Sequence, residues 1–230
     1  MLVYAVRHAE SLTNAATSES LNPSLSPLGV RQAAALTRRL EKVKFTAIYS
    51  SPYRRCLETV AELAEAAGLP IRLRPDLSEC HHSASQPAVE AALESFDDLA
   101  GRFTDACVCP DWEGPLVWPP ANETTQQLAA RMNKLADYLK RRLTSTEDVA
   151  LLIGHGSPLA RLVEAWLNAP PGPGFRFVFD NAALCVLRFA DGVSSLLCLN
   201  ERSHLADLPA PEIAQFTSDG LYKGFRPPVR

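Results

Sequence analysis

Short apolar runs without polar alternation recur along the chain at Leu2 to Val6, Phe45 to Tyr49 and Val149 to Ile153. A strand with one wet face alternates, whereas an unbroken apolar run of strand length is buried on both faces, as in the middle of a parallel sheet. Between and after these runs, apolar positions recur at helical spacing over Ser26 to Leu40, Ser51 to Ala67, Glu123 to Arg142 and Ser157 to Leu167. Strands alternating with helices of this length predict βαβ units. The expected fold class is α/β: a three-layer α/β/α sandwich with a mostly parallel central sheet. Phe175 to Phe179, Ala183 to Phe189 and Val193 to Leu199 read as further strands closing the sheet, with Asp191–Gly192 as a hairpin turn between the last two.

Three of the helices are predicted to open on a Ser–Pro pair: Ser26–Pro27, Ser51–Pro52 and Ser157–Pro158. Serine caps an orphan N–H and proline presets the first turn. The last two pairs directly follow strands, where a helix N-terminus offers free N–H groups and a dipole to an anion.

Residues 78 to 122 break the alternation. Pro87 to Ala100 fits an amphipathic helix through Val89, Leu93, Phe96 and Leu99, followed by a Trp- and Pro-rich stretch from Asp111 to Pro120 with no period. This segment is read as an insertion forming a lid over the strand C-terminal ends, within a single domain spanning 1–230. From Leu208 onward, proline and polar residues dominate, so an extended tail that wraps the surface or frays is expected.

A chain of 230 residues can bury a core without staples, and 47% hydrophobic with 21% charged residues excludes disorder, collagen and coiled coil as descriptions of the whole. The net charge of 23 − 26 = −3 supplies no basic field, so neither nucleic acid nor an anionic membrane is an expected partner. No apolar run is long enough to span a membrane. Cys56, Cys80, Cys107, Cys109, Cys185 and Cys198 show no framework spacing, and Met1 to Val6 is too short for a secretory h-region. Reduced thiols in a cytoplasm are therefore expected. Cys107 and Cys109 are too close for a zinc knuckle, and no acidic cluster suits magnesium, so neither a metal nor a cofactor is expected.

Chemistry-bearing residues gather where the predicted strands end. The first strand runs into Arg7-His8-Ala9-Glu10, the second into Ser50 to Arg55, Ile71 to Leu73 into Asp76 to Glu79, and Val149 to Ile153 into Gly154-His155-Gly156. In open α/β sheets the ligand crevice lies beyond the carboxyl ends of the strands. Each residue alone has a bland reading, as a structural histidine, a solvated arginine or a loop carboxylate; their shared placement is what points to chemistry. The set supports phosphoryl transfer through a covalent intermediate. A neutral imidazole attacks phosphorus, flanking guanidiniums stabilise the oxygens, and they also lower the pKa of the attacking histidine. The Gly156 N–H lies beside a second histidine, and a carboxylic acid at Glu79 protonates the leaving alkoxide and then activates water.

Arg7-His8-Ala9-Glu10 followed by Asn14 resembles the N-terminal signature of the histidine phosphatase superfamily, which includes the cofactor-dependent phosphoglycerate mutases. Leu25-Ser-Pro-Leu-Gly29 with Gln32-Ala33, Tyr49 to Cys56 with Thr59, Gly154-His-Gly156, and Asn200 with His204-Leu205 are similar to further family stretches in the same order. The resemblance implies that His8 is phosphorylated during turnover and that Arg7, Arg55 and His155 form the phosphate pocket, with Asn14 nearby. By the family pattern Arg55 is the phosphate-binding arginine and Arg54 occupies the variable place before it. The chain departs from the pattern at Ala9, where glycine is usual, and beyond Glu79, where the usual Gly-x-x-Glu-Gly element is displaced. Glu79 is the expected acid, with Glu113 and Glu123 as alternatives. His81 and His82 adjoin it, and His204 is read as structural. Trp112 and Trp118 either pack the lid onto the body or face the pocket and favour an aromatic leaving group.

Mutases of this family carry an arginine-containing stretch after the acid, whereas this chain has Glu79-Cys-His-His-Ser. Hydrolysis of a small phosphorylated substrate is therefore expected ahead of mutase chemistry. A degenerate module that binds phosphorylated ligands without turning them over is the third reading, and the retention of His8, Arg7, Arg55 and His155 argues against it.

Overall fold

The side chains of β5 (Val149–Gly154) point alternately into two apolar cores, Ala150 and Leu152 to one side and Leu151 and Ile153 to the other. β1 (Leu2–Arg7) and β2 (Ala47–Ser50) divide the same way, with Val3, Ala5, Ala47 and Tyr49 on the first side and Val6 and Ile48 on the second. This two-sided burial is what the unbroken apolar runs require. It belongs to a computed structural model that describes residues 1–80, 96–103, 106–112, 114, 122–169, 177–209, 213–216 and 222–225.

The central sheet also contains β3 (Ile71–Leu73), β4 (Ala106–Val108), β6 (Leu184–Ala190) and β7 (Val193–Glu201), in the order β4-β3-β2-β5-β1-β6-β7. Strands β4 to β1 in that order are parallel, β6 runs antiparallel to β1, and β7 antiparallel to β6. Helices α1 (Pro27–Leu40) and α2 (Arg54–Ala67) cover one face through Leu36, Leu40, Leu57, Val60 and Leu63. Helices α4 (Thr125–Arg142) and α5 (Gly156–Trp166) cover the other through Met132, Leu135, Leu159, Leu162 and Trp166. The register sets Arg7 beside Gly154, and Ser50 beside Ile153 and Leu73, so the chemistry-bearing strand ends lie side by side.

The β6–β7 turn falls at Asp191–Gly192, with φ of 53° and 75°, the doubly left-handed pattern of a two-residue hairpin. Ser26 caps α1, its hydroxyl accepting from the Gly29 N–H at 3.0 Å.

The other Ser–Pro expectations are corrected. α2 starts at Arg54 behind Tyr53 and α5 starts at Gly156 behind His155, neither with a side-chain cap. The Ser51 N–H bonds to the Ile153 carbonyl at 2.9 Å, which continues the sheet ladder past Ser50 and keeps Ser51 out of the helix. Ser157 lies inside the first turn of α5, because Leu159 N–H already bonds to the His155 carbonyl.

The expected strand at Phe175 to Phe179 is also corrected for its described part, since Phe177 to Phe179 are irregular. There the Phe179 carbonyl serves the Arg7 guanidinium instead of a neighbouring strand. Within the stretch read as an insertion, α3 (Phe96–Arg102) leads into β4, which pairs in parallel with β3 at the sheet edge, so the alternation resumes there. The remainder of the predicted helix, Pro87 to Ser95, and the stretch 115–120 lie outside the described residues. In the tail, β8 (Ile213–Phe216) and β9 (Tyr222–Phe225) pair as an antiparallel hairpin where no regular element was expected.

Candidate active site

The β1–β5 ladder extends one residue past Arg7, with His8 N–H donating to the Gly154 carbonyl at 2.9 Å. The chain then turns, and Ala9 N–H donates to Thr59 Oγ1 at 3.0 Å, a hydroxyl that itself donates to the Arg55 carbonyl at 2.6 Å. The start of α1 closes the turn from below. Ser26 Oγ donates to Glu10 Oε1 at 2.6 Å, and the Glu10 N–H donates to Gln32 Oε1 at 2.8 Å. A Cβ on Gly29 would lie 1.9 Å from the Glu10 carbonyl oxygen, so this close approach requires glycine. The Leu25-to-Gln32 stretch thus braces the loop that carries His8.

His8 is 3% exposed. Its Nδ1 lies 2.7 Å from the Ala9 carbonyl, which can only accept, so Nδ1 carries the proton. The lone pair is therefore on Nε2, where it accepts from Arg55 Nε–H at 3.2 Å. Burial, together with the guanidiniums of Arg55 and Arg7, holds the His8 imidazole well below its ordinary pKa, so it is neutral at pH 7. Arg55 reaches three ways from the first turn of α2: to His8, from Nη1 to the Leu21 carbonyl at 3.0 Å, and from Nη2 to His155 Nδ1 at 3.1 Å. Its guanidinium lies 4.7 Å from the centre of the Tyr53 ring.

His155 is fully buried behind β5, its ring centre 5.1 Å from that of His8. Since Arg55 can only donate, His155 Nδ1 holds a lone pair, and Nε2–H donates to Ser51 Oγ at 2.9 Å. Cys56 Sγ lies 3.5 Å from the same nitrogen, and burial pushes its thiol up to about 12, so it is protonated at neutral pH.

Arg7 ends β1, with Nη1 donating to the Phe179 carbonyl at 2.8 Å. Gly156 is the first residue of α5. Asn14 Oδ1 accepts from Ser11 N–H, Ser11 Oγ and Asn181 Nδ2, which ties it into its own loop. Arg54 donates from Nη1 to Ser24 Oγ at 3.2 Å, whereas Arg55 lies between the histidines. Glu79 is half-buried, with Oε1 accepting from Cys80 N–H at 3.0 Å.

Glu123 is buried, and Arg131 occupies both its oxygens, Nε to Oε1 at 2.8 Å and Nη2 to Oε2 at 2.5 Å. Arg131 Nη1 also donates to the Asp76 and Ser78 carbonyls, so this pair ties the strand-end turn to the start of α4. Trp112 packs against the core beside α4, 5.2 Å from the Arg74 guanidinium. Glu113, Trp118, His81 and His82 lie outside the described residues. His204 Nε2 is 3.0 Å from the Ala182 carbonyl, a structural bond.

Sequence reasoning missed Ser51 as the partner of His155 and Asn181 as a partner of the His8 carbonyl. Ser51 was legible only as a cap, and nothing in the sequence around Asn181 marks it out. Among the described residues, no group of three or more His, Cys, Asp or Glu side chains is placed to hold a metal ion, and no described helix is long and apolar enough to cross a membrane.

Residues 3–202 match the model of the histidine phosphatase superfamily (branch 1). The chain is 27% identical over 206 residues to phosphoserine phosphatase 1 of Hydrogenobacter thermophilus, covering 88% of this chain and 93% of that one. It is 28% identical over 185 residues to a probable phosphoglycerate mutase of Yersinia pestis, covering 79% and 82%. Among solved structures, a mutant phosphoserine phosphatase from Entamoeba histolytica in complex with phosphoserine superposes with a TM-score of 0.62 at 19% identity, covering 89% of this chain and 98% of that one.

Proposed function

The chain belongs to the histidine phosphatase superfamily, and on that premise we propose that it is a phosphatase hydrolysing small phosphomonoesters through a phosphohistidine on His8. The observation that carries this reading is the protonation pattern of His8: Nδ1–H held by the Ala9 carbonyl and a lone pair on Nε2 facing Arg55. A buried imidazole that is neutral, oriented and flanked by guanidiniums is equipped to attack phosphorus.

In the free enzyme Arg55 Nε–H occupies the Nε2 lone pair. An arriving phosphate offers better acceptors, so the guanidinium transfers its N–H groups to phosphoryl oxygens and frees the lone pair. His8 Nε2 then forms the P–N bond as the ester P–O bond breaks, with Glu79 giving its proton to the leaving alkoxide. In the second half-reaction Glu79 takes a proton from water as the water oxygen attacks phosphorus. The P–N bond breaks, and neutral His8 and inorganic phosphate are regenerated. Arg7 and Arg55 hold the oxygens throughout and supply the positive charge without a metal ion, beside a neutral His155 whose Nε2–H is held by Ser51.

Hydrolysis is favoured over mutase transfer because Glu79-Cys-His-His-Ser carries no arginine, and the nearby Arg74 and Arg131 are already committed to Asp76 and Glu123. The relatives named for phosphoserine point to a small phosphorylated metabolite as substrate. The six cysteines are free thiols, in keeping with a reducing cytoplasm.

Rapid quench with an activated aryl phosphate in the presence of chelator tests the reading. A phosphoryl adduct on the His8 peptide followed by phosphate release is the expected result. Adduct without release would indicate a mutase, and neither adduct nor phosphate would indicate a binding module.

A further inference from the structure

The backbone that carries His8 is gripped from both ends of one peptide. The Ala9 N–H of the His8–Ala9 peptide donates to Thr59 Oγ1, while the His8 carbonyl accepts from Asn181 Nδ2 at 3.0 Å and from Ala182 N–H at 3.3 Å. Asn181 Nδ2 also lies 3.3 Å from Asn14 Oδ1, so a single amide joins the nucleophile to the loop beside it.

The segment presenting Asn181 is itself held firmly. Asn200, at the end of β7, accepts from Asp180 N–H at 2.8 Å and donates to Asp180 Oδ2 at 3.0 Å. Arg202 pairs with the same carboxylate at 2.7 Å, and His204 bonds to the Ala182 carbonyl. Ala182 and Asn200 adopt φ of 56° and 54°, a left-handed conformation that costs a residue with a side chain and persists only where its surroundings enforce it.

We infer that Asn181 is a positioning residue for His8. It touches no reacting atom in the proposed chemistry. By fixing the His8 carbonyl it sets the peptide from which the imidazole projects, so that Nδ1–H meets the Ala9 carbonyl and the Nε2 lone pair faces the pocket. Arg7, Arg55 and His155 do not depend on that amide for their own bonds to Phe179, Leu21 and Ser51. Asn181 therefore governs attack and leaves phosphate binding to others. This inference rests on His8 being the nucleophile, and its test separates the two.

Rapid quench with an aryl phosphate measures the rate of His8 phosphorylation in the wild type, Asn181→Ala and Asn181→Ser, and competitive inhibition by inorganic phosphate reports the pocket. Asn181→Ala is expected to slow phosphorylation about 10- to 100-fold, the scale of a misplaced reacting group, with the phosphate inhibition constant within about threefold of wild type. Asn181→Ser, which keeps a hydroxyl donor, is expected to recover part of the rate and carries the comparison if the alanine variant does not fold. A folded variant phosphorylated at the wild-type rate overturns the inference, as does a loss of phosphate binding in step with the rate. A wild type that forms no His8 adduct overturns the proposed function and this inference with it.

Discussion

The Arg55 guanidinium bridges the two histidines of the site, with Nε 3.2 Å from His8 Nε2 and Nη2 3.1 Å from His155 Nδ1. A guanidinium has donors only and keeps its charge at any physiological pH, so each ring must turn a lone pair toward it. One side chain thus sets the proton arrangement of both imidazoles before any substrate arrives.

Removing that bridge has a definite consequence. Arg55→Ala is expected to lower kcat/KM with an aryl phosphate by about 10²–10³-fold, the cost of losing a donor aimed at developing charge. Arg54→Ala, which removes a contact to Ser24, is expected to cost far less. Steady-state kinetics on the two variants decide this, and a larger loss at Arg54 would place the phosphate arginine one residue earlier.

Histidine 8 links activity and stability to pH. Its folded-state pKa is depressed below the ordinary 6.5, chiefly by burial. Below 6.5 the unfolded chain takes up a proton that the folded site refuses, so stability falls as pH drops through that range and is fully recovered above it. His8→Gln removes the penalty. Its melting temperature is expected to gain on the wild type progressively as pH falls below 6.5, while turnover falls below one per cent, on the order of the loss expected for a covalent nucleophile. Thermal melts across pH, paired with activity assays, read both effects.

The acid role proposed for Glu79 is tested through the leaving group. Glu79→Gln cannot give a proton to an alkoxide, whereas nitrophenolate leaves without one. The expected outcome is a loss about 10²-fold larger on an alkyl phosphate than on nitrophenyl phosphate, in the range of general acid catalysis. Equal losses on the two substrates would assign the proton to another carboxylate.

Glycine 29 is a packing test away from the chemistry. A methyl group there would lie 1.9 Å from the Glu10 carbonyl oxygen, against backbone that has no rotamer to give. Gly29→Ala is expected to destabilise by about 1–3 kcal/mol or more, read as a melting point lower by roughly 2–4 °C per kcal/mol. A neutral or stabilising result would mean that α1 and the His8 loop can separate freely.

The buried pair of Arg131 and Glu123 is expected to be structural. Arg131→Met leaves the Glu123 carboxylate buried without its partner and the Asp76 and Ser78 carbonyls without their donor. A loss of about 3–5 kcal/mol is expected in denaturant unfolding. The double variant Arg131→Met with Glu123→Leu is expected to regain a large part of it.

Much of the molecule is readable along the chain because its signals are local. The two-sided apolar runs, the helical periodicities, the Ser26 cap and the Asp191–Gly192 turn each depend on residues a few positions apart. The ends of β1, β2 and β5 likewise place His8, Arg55 and His155 together, since the topology of a parallel sheet puts its strand ends on one side. Other features depend on partners far away in sequence. Ser51 has the look of a cap, yet its N–H is taken by Ile153 and its hydroxyl by His155. Edge strand β4 is only three residues long, too short for a period to register. Glu79 and Glu123 are equivalent as carboxylates in the sequence, and only the placement of Arg131 shows that Glu123 is held in an ion pair. Asn181 reaches His8 across 173 positions of sequence. The sequence by itself therefore determined the layers, the strand order's consequences for the site and the chemical class of its residues, because those follow from periodicity and residue type. The tertiary structure alone decided which atom of each imidazole carries the proton, which carboxylate is spent on an arginine and what holds the backbone of His8, because a hydrogen bond is specified by distance and direction between groups that the chain sets far apart.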